Sequence, residues 1–246
     1  MADNIHPYQR LQIELADLIE KTAPGDRLPS EPLLAQQMGV SRATLREAMR
    51  AFEGQGLIRR RQGIGTFVVG RTSVIESGLE VLQSIETSAD SINLKISMGD
   101  LRIHQIKADS DLAKELGVDE GSPLVRVERV ILGDNRPVAY LIDILPENIL
   151  TAADLDEGFN GSVLDLLLQR GSPNLLKSYT EINAVAASSE VSRALEIQRG
   201  DVMEKFIGWL YAQDGQVVDY SISYFLPGYF RFHVVRRVGS VVKSQK

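Results

Sequence analysis

The segment Ser41–Phe52, SRATLREAMRAF, decides how the N-terminal part of this chain folds. Its apolar side chains recur at the i, i+3, i+4, i+7 spacing of one helix face, at Leu45, Ala48, Met49 and Phe52. Cations follow a second face at four-residue spacing, at Arg42, Arg46 and Arg50. With Ser41 as N-cap and stop signals at Gly54 and Gly56, the pattern predicts a short helix with basic residues at its open end. Such a helix fits a DNA major groove, although taken alone it is more typical of an ordinary amphipathic surface helix.

Two further helices are predicted before this segment. Tyr8–Thr22 carries an apolar face, and a second helix covers about residues 32–38 with Ser30 as its N-cap. Gly39 then supplies a tight connection to the helix described above. Two helices joined by a short turn that contains glycine form a helix-turn-helix, in which the second helix reads the bases.

A hairpin is predicted after the helices. Its strands are Leu57–Arg61 and Thr66–Val69, and Gly63 in the turn allows the backbone to approach a phosphate or the minor-groove floor. The first strand contains three consecutive arginines, Arg59 to Arg61. Such a run is usually only a solvated charged face, but beside a helix-turn-helix it favours phosphate attraction.

Composition limits the possible functions. The net charge of −6 argues against a nucleic-acid binder, but residues 41–71 contain seven arginines and two glutamates, so a cationic island surrounds the helix. The 246 residues suit one or two domains. The sequence has no cysteine, and no apolar run approaches the roughly 20 residues needed to span a bilayer. We expect a cytoplasmic protein with no cofactor, no metal site and no membrane partner.

Ordered motifs run through the first 70 residues: GDRLPSE at 25–31, LA at 34–35, GVSRATLREA at 39–48, GLI at 56–58 and GIGTFV at 63–68. Over about residues 8–69 they resemble the winged-helix domain of GntR-type bacterial transcription regulators. The resemblance implies double-stranded operator DNA as a partner. The expected contact residues are Ser30, Ser41, Arg42, Thr44, Arg46 and Gly63. By resemblance, the arginines contact guanine edges or phosphates, the threonine a phosphate or base, and the glycine the minor groove.

The signal changes from helices to strands in the C-terminal part. Extended structure is favoured at 101–106, 124–132, 137–145, 177–186, 202–211, 217–226 and 230–238. Helices are predicted at about 110–116, 162–170 and 189–196. In the connector before them, apolar spacing predicts a short amphipathic helix over Ile75–Ile85, broken at Thr87 to Asp90. The chain is therefore predicted to be α+β, with an antiparallel sheet after the helical head.

An internal repeat supports this domain. Two units, 116–146 and 195–227, each contain a helix end, a glycine, a strand, a turn, a second strand and Leu-Pro. The sequence LGV at 116–118 corresponds to LEI at 195–197, and PVAY at 137–140 corresponds to VVDY at 217–220. Unless the likeness is coincidental, two such units pair their hairpins about a pseudo-twofold axis into one sheet, with clefts for a small molecule.

Arg129 shares its strand face with apolar residues, so its guanidinium points into a core. A buried guanidinium needs a partner. It either pairs internally, with Glu181 or Asp219 as candidates, or awaits an anionic ligand. A polar strand face from Asp219 to Ser223 either faces the same cleft or is simply solvated.

The run at 116–118, this arginine and these acidic positions resemble the ligand-sensing UTRA domain of the HutC branch of GntR regulators, which has a chorismate-lyase-like fold. The resemblance implies a small-molecule metabolite as effector. It implies Arg129, Glu181, Asp219 and Ser223 as effector-binding residues. This chain has Ile131 where relatives that bind sugar phosphates carry a second arginine, so we expect a less charged ligand.

Together these patterns predict a homodimeric transcription regulator, a repressor that binds an inverted-repeat operator under effector control. The expected domains are residues 1–70 (winged helix-turn-helix), 71–92 (connector) and 93–246 (sensor). One alternative is an enzyme of chorismate-lyase-like fold fused to a DNA-binding module. Only three, widely spaced histidines and no cysteine argue against it. A second alternative joins the GntR head to an all-helical metal-binding sensor, which the strand-rich pattern opposes.

Overall fold

The N-terminal region contains three helices and a hairpin. The computed structural model describes residues 7–54, 57–61, 63–69, 75–90, 94–155, 159 and 161–236. The elements are α1 (Pro7–Lys21), α2 (Glu31–Gln37), α3 (Arg42–Gly54), β1 (Ile58–Arg61) and β2 (Gly65–Val68), the two strands pairing antiparallel. One apolar cluster joins all five elements, and its largest fully buried side chains are Leu15, Leu28, Leu34, Leu45 and Met49. The predicted helix-turn-helix and wing are confirmed. Gly56 lies outside the described residues.

A six-stranded antiparallel sheet forms the C-terminal region. Its strands are β4 (Ile96–Lys107), β5 (Pro123–Gly133), β6 (Arg136–Pro146), β7 (Leu175–Ala186), β8 (Val202–Ala212) and β9 (Val217–Phe225). The accompanying helices are α4 (Ile85–Asp90), α5 (Ser110–Leu116), α6 (Val163–Arg170) and α7 (Ser189–Ala194), with a short 3-10 turn at Ala152–Leu155. The order across the sheet is β4-β5-β6-β9-β8-β7. None of the helices in the described ranges is long and apolar enough to cross a membrane.

The strand order follows the internal repeat. The path β4-α5-β5-β6 is repeated as β7-α7-β8-β9, and the last strands of the two units, β6 and β9, pair at the centre of the sheet. The two units therefore meet about a pseudo-twofold axis, as predicted. Each unit has a left-handed residue just after its helix, Gly117 with φ 66° in the first and Glu196 with φ 51° in the second. Only the glycine adopts this conformation without steric cost.

The prediction of a helix over Ile75–Ile85 in the connector was wrong. Ile75–Gly78 forms a strand, β3, that pairs in parallel with β10 (Phe230–His233), and helix α4 begins only at Ile85. The hydroxyl of Ser84 accepts the backbone N–H of Thr87 and so starts α4 where a helix break was expected. Pairing with a strand about 150 residues away overrides the local helical spacing. The sequence of a four-residue segment does not reveal such a distant partner.

The two faces of the large sheet carry different elements. On one face, α5 is held by the Trp209 indole, which donates to Glu115 at 2.8 Å, and α7 by the Tyr140 hydroxyl, which donates to Glu190 at 3.2 Å. On the other face, the Ser84 hydroxyl donates to Asp165 of α6 at 2.7 Å. The segment 75–90 and α6 therefore cover this second face, together with β10.

The wing packs against the sensor region through its arginines. Arg59 is buried, and its Nη2 donates to the carbonyl oxygens of Leu195, at 2.6 Å, and Glu196. Arg61 Nη2 lies 3.4 Å from the Glu196 carboxylate. The interpretation of Arg59 as a phosphate contact was therefore wrong, because its guanidinium is used within the molecule.

Replacing Arg59 tests this contact. Arg59→Ala removes two hydrogen bonds from a buried cation to carbonyl oxygens, so we expect the chain to lose about 1–3 kcal/mol of stability against urea unfolding. The matched control is Arg10→Ala, because Arg10 makes only an exposed pair with Glu14 on its own helix. Equal effects of the two substitutions on the unfolding midpoint would contradict the assigned contact.

Candidate nucleic-acid interface and ligand cavity

Helix α3 presents its first turn to solvent. The Ser41 hydroxyl accepts the backbone N–H of Thr44 at 3.1 Å and lies 2.8 Å from the Thr44 hydroxyl, which fixes the start of the helix. Arg42, the first residue of α3, is exposed. The structure thus brings Ser41, Arg42 and Thr44 together on one accessible turn, with the positive end of the helix dipole beneath them.

Arg46 is held in place by Glu31, a residue that was not among the predicted contacts. Its Nε donates to Glu31 Oε2 at 2.6 Å, and Glu31 Oε1 lies 3.5 Å from Arg60 Nε of the wing. One carboxylate of α2 therefore joins both helices of the helix-turn-helix to the hairpin. The position of Glu31 directly after Pro29-Ser30 marks the start of a helix in the sequence. It does not reveal the partner of Glu31, because Arg46 lies fifteen residues away.

The remaining predicted contacts occupy separate places around α3. Ser30 is exposed at the start of α2 and makes no side-chain capping hydrogen bond, so the prediction that its hydroxyl caps this helix was wrong. Gly63 lies in the wing turn with φ 75°, and a Cβ there would meet no atom within 4 Å. Arg50 lies farther along α3 and pairs with Glu47 at 3.1 Å. Its position agrees with the interpretation that it does not reach bases.

A cavity of about 720 Å³ lies between the second face of the large sheet and the elements that cover this face, which are the segment 75–90, α6 and β10. Hydroxyl side chains from both layers line it: Ser77, Ser84, Ser88, Ser162, Ser178, Thr180, Ser221 and Ser223. Four phenylalanines form another part of the wall: Phe206, Phe225, Phe230 and Phe232. Its size and its mixed apolar and polar lining are those of a small-molecule site.

The floor of the cavity contains a buried charged cluster. Arg129 of β5 forms a salt bridge with Asp143 of β6 through Nη1 and Oδ2, and both residues are at most 7% exposed. Asp219 of β9, also 7% exposed, hydrogen-bonds to Asp143. The partner of Arg129 is thus neither of the two expected residues. Asp219 is its neighbour, but Asp143 neutralises it.

Burial controls protonation in this cluster. Burial, with the nearby carboxylate of Asp143, raises the pKa of Asp219 well above its ordinary value. Burial also raises the pKa of Glu86 of α4, and the neighbouring Asp165 and Asp143 add to that shift. Both carboxyls therefore favour their protonated forms over a wider pH range than exposed carboxyls do.

Glu181 does not reach the cavity. In β7 the residues that line the cavity, such as Ser178 and Thr180, alternate with residues of the opposite sheet face. Glu181 is on that opposite face, where the Tyr179 hydroxyl donates to it at 3.4 Å. Ser223 does line the cavity, as expected.

Two cavity residues were missed, Asp143 and Glu86. Asp143 is the one charged residue within the apolar run from Val138 to Leu145, and a charge in a buried strand signals a partner or a site. Glu86 carried no such signal, because its segment was predicted as a helix that ends there. Among the residues that the structure describes, no three His, Cys, Asp or Glu are arranged to hold a metal ion.

Comparison with protein families agrees with both halves of this geometry. Residues 7–68 match the bacterial regulatory proteins of the gntR family, and residues 93–231 match the UTRA domain. The chain belongs to the GntR family. Its C-terminal domain is a UTRA domain. The GntR-type transcription regulators bind DNA through their helix-turn-helix, so the enzyme alternative is set aside, and the UTRA match replaces the all-helical alternative.

Named relatives support the same class. The chain is 28% identical over 201 residues to the HTH-type transcriptional repressor NagR of Bacillus subtilis, covering 81% of each protein. It is 27% identical over 214 residues to MngR of Escherichia coli, the mannosyl-D-glycerate transport/metabolism system repressor, covering 86% of this chain and 87% of MngR. The crystal structure of PhnF from Mycobacterium smegmatis has the same fold, with a TM-score of 0.64 and 24% identity over 93% of this chain and 100% of PhnF.

Arg46→Ala tests the role of α3 in base recognition. If Arg46 reads a guanine, its removal costs about 1–3 kcal/mol of binding to a DNA site selected from random sequences. Arg50→Ala on the same helix is the control, and we expect less than about 0.5 kcal/mol there, since Arg50 pairs with Glu47 away from the open end. An unchanged affinity of Arg46→Ala in a fluorescence-anisotropy titration would exclude Arg46 from the interface.

Asp219→Asn tests the buried carboxyl through the pH dependence of stability. In the folded chain the pKa of Asp219 is raised, so the folded state holds its proton above the ordinary pKa of about 3.9, where the unfolded state has lost it. Stability from this group therefore falls as pH rises from about 4 towards the raised pKa, by at most about 1.4 kcal/mol per pH unit. Asparagine has no such loss.

The measurement is the difference in thermal midpoint between Asp219→Asn and the parent chain at several pH values. We expect it to move in favour of the variant as the pH rises. Asp214→Asn, in an exposed turn, controls for the loss of one carboxylate. A pH-independent difference would show that Asp219 titrates normally.

Proposed function

We propose that this chain is a repressor of the HutC type, which binds an inverted-repeat operator as a homodimer and is controlled by a small molecule in the UTRA cavity. The observation that carries the proposal is the presence, in one chain, of an accessible α3 N-terminus and of a cavity under the segment that leads back to the DNA-binding domain. Its place of action is the cytoplasm, where operator DNA lies.

The segment 75–90 suits a role in transmission. It belongs to the proposed connector, 71–92, and most of its residues from Ile75 to Ser88 line the cavity. A ligand there touches the sensor sheet and the connector together. Effector control requires unequal binding to the DNA-competent and incompetent arrangements. Such a preference can act through contacts of the ligand with the connector. It can also act through the wing contact, in which Arg59 donates to Leu195 and Glu196.

The two edges of the sheet support a dimer through β7. The β4 edge has exposed charged and polar residues, including Asp100, Arg102 and His104, which protect an edge from pairing. The β7 edge instead exposes apolar side chains: Leu176, Tyr179 and Ile182 are each at least half exposed, as is Val202 at the start of the adjacent β8. Antiparallel pairing of two β7 strands across a twofold axis covers these side chains and unites the two sheets.

The test combines assembly with DNA selection. We expect light scattering to give a dimer for the full chain, and selection from random DNA to give an inverted repeat with half-sites about one helical turn, roughly 34–36 Å, apart. Ile182→Asp places a charge at the β7 edge and is expected to yield monomers with weaker binding to the full site. Ile13→Asp, at an exposed apolar residue of α1, is the control. A monomeric parent chain, or a selected site without symmetry, would overturn the dimer.

A further inference from the structure

The floor of the UTRA cavity has more carboxyl groups than cations. Asp143, Asp219 and Glu86 line it together with one arginine, Arg129, whose Nη1 already donates to Asp143. Asp165 lies close behind, within electrostatic range of Glu86. The charge of this arginine is therefore balanced by Asp143, and Lys177, a second cation of the cavity lining, has its Nζ 5.4 Å from the Tyr211 ring. The carboxyl groups of the floor outnumber its arginine, which disfavours a phosphate or carboxylate. The remaining carboxyls make the floor a site for hydrogen-bond donors and positive charge.

Asp219 offers a specific point of attachment. It is 93% buried, its Oδ1 has no hydrogen-bond partner among the described residues, and it lines the cavity. A buried acceptor without a partner destabilises the folded chain, and a donor group of a ligand removes this cost. Arg129 Nε, also without a partner there, provides one adjacent donor. The cavity floor thus has one acceptor and one donor without hydrogen-bond partners among the described residues, at the positions where a ligand head group would contact it.

The other end of the cavity is aromatic. Asp219 and Phe225 point to the same face of β9 and are six residues apart, about 20 Å along the strand. Phe225 packs on Phe230 with ring centroids 4.9 Å apart, and Phe206 packs on Phe232 at 4.4 Å. Ser221 and Ser223 lie between the two ends. The site is therefore elongated, with an acidic head region and an apolar aromatic tail region.

We propose that the effector is an elongated cationic small molecule, with an amine or amidine head at Asp219 and Glu86 and an apolar body directed towards the phenylalanine cluster. The inference rests on the proposed function, since it names the ligand class of the same UTRA cavity. The head group of this effector has the opposite charge to that of a sugar phosphate. We expect this charge because Asp143 already pairs with Arg129.

Proton release accompanies the binding of such a cation. Asp219 faces Asp143 and Arg129, and Glu86 faces Arg129, Asp165 and Asp143. A cation next to Asp219 and Glu86 favours their ionised forms, so each gives up its proton as the head group binds. Affinity for the cation consequently rises with pH, as long as the amine itself stays protonated.

Three probes with one body and different heads test the proposal by isothermal titration calorimetry on the full chain: phenylbutylamine, phenylbutanol and phenylbutyrate. For a fragment of this size we expect the amine to bind with a Kd on the order of 0.1–1 mM. Its affinity should exceed that of the alcohol by about tenfold or more, the value of a charge-assisted hydrogen bond. It should increase with pH while the amine stays protonated. The carboxylate should not bind.

Asp219→Asn keeps the shape of the side chain and removes its charge, so it should lose about tenfold or more in amine affinity and leave alcohol binding within about twofold. Asp214→Asn is the matched control and should match the parent chain. If Asp219→Asn does not fold, Glu86→Gln is measured instead with the same expectation. Binding of the carboxylate or alcohol as tight as that of the amine, or no amine binding, would overturn the proposal. DNA binding measured in parallel separates this failure from failure of the regulator function, because a chain that selects an operator but ignores the amine contradicts only the ligand class.

Discussion

The burial of Arg129 inside the six-stranded sheet constrains much of the C-terminal domain. A guanidinium in such a place is several kcal/mol too costly unless a partner neutralises it, and Asp143 on the adjacent strand does so. Strand alternation then places Arg129, Asp143 and Asp219 on the one face that the connector covers. The same pair sets the charge of the cavity floor, because Asp143 offsets the charge that Arg129 would otherwise present to an anion.

Local patterns were sufficient to predict most of the elements. The helical spacing around Leu45, the N-cap at Ser41 and the glycine between α2 and α3 depend on residues within one or two turns of each other, and all three are found. The internal repeat extended this reach, because two similar units imply a symmetric sheet without any knowledge of individual contacts. The pairing of β6 with β9 is one of the arrangements that this symmetry allows.

Contacts between distant segments could not be predicted. Ile75 has a helical spacing, but its strand partner at Phe230 is known only in the folded chain. The charge of Arg59 indicated DNA, but two carbonyl oxygens near residue 195 accept its hydrogen bonds. Glu181 was assigned to the cavity by resemblance, and a shift of one residue along β7 places it on the other face. In each case the residue type indicated the kind of contact, but the sequence did not indicate which partner or which face of the sheet the side chain points to.

The repeat also gives the molecule an internal comparison between two versions of one design. At the end of the first helix stands Gly117, which suits its left-handed conformation, and at the same place in the second unit stands the strained Glu196, which binds the wing. In the final strands, Ala139 of the first unit corresponds to Asp219 of the second. At these two positions the second unit has a residue that contacts the wing and a residue that lines the cavity. The two units thus share one arrangement of strands, and single residues within that arrangement make the second unit chemically different from the first.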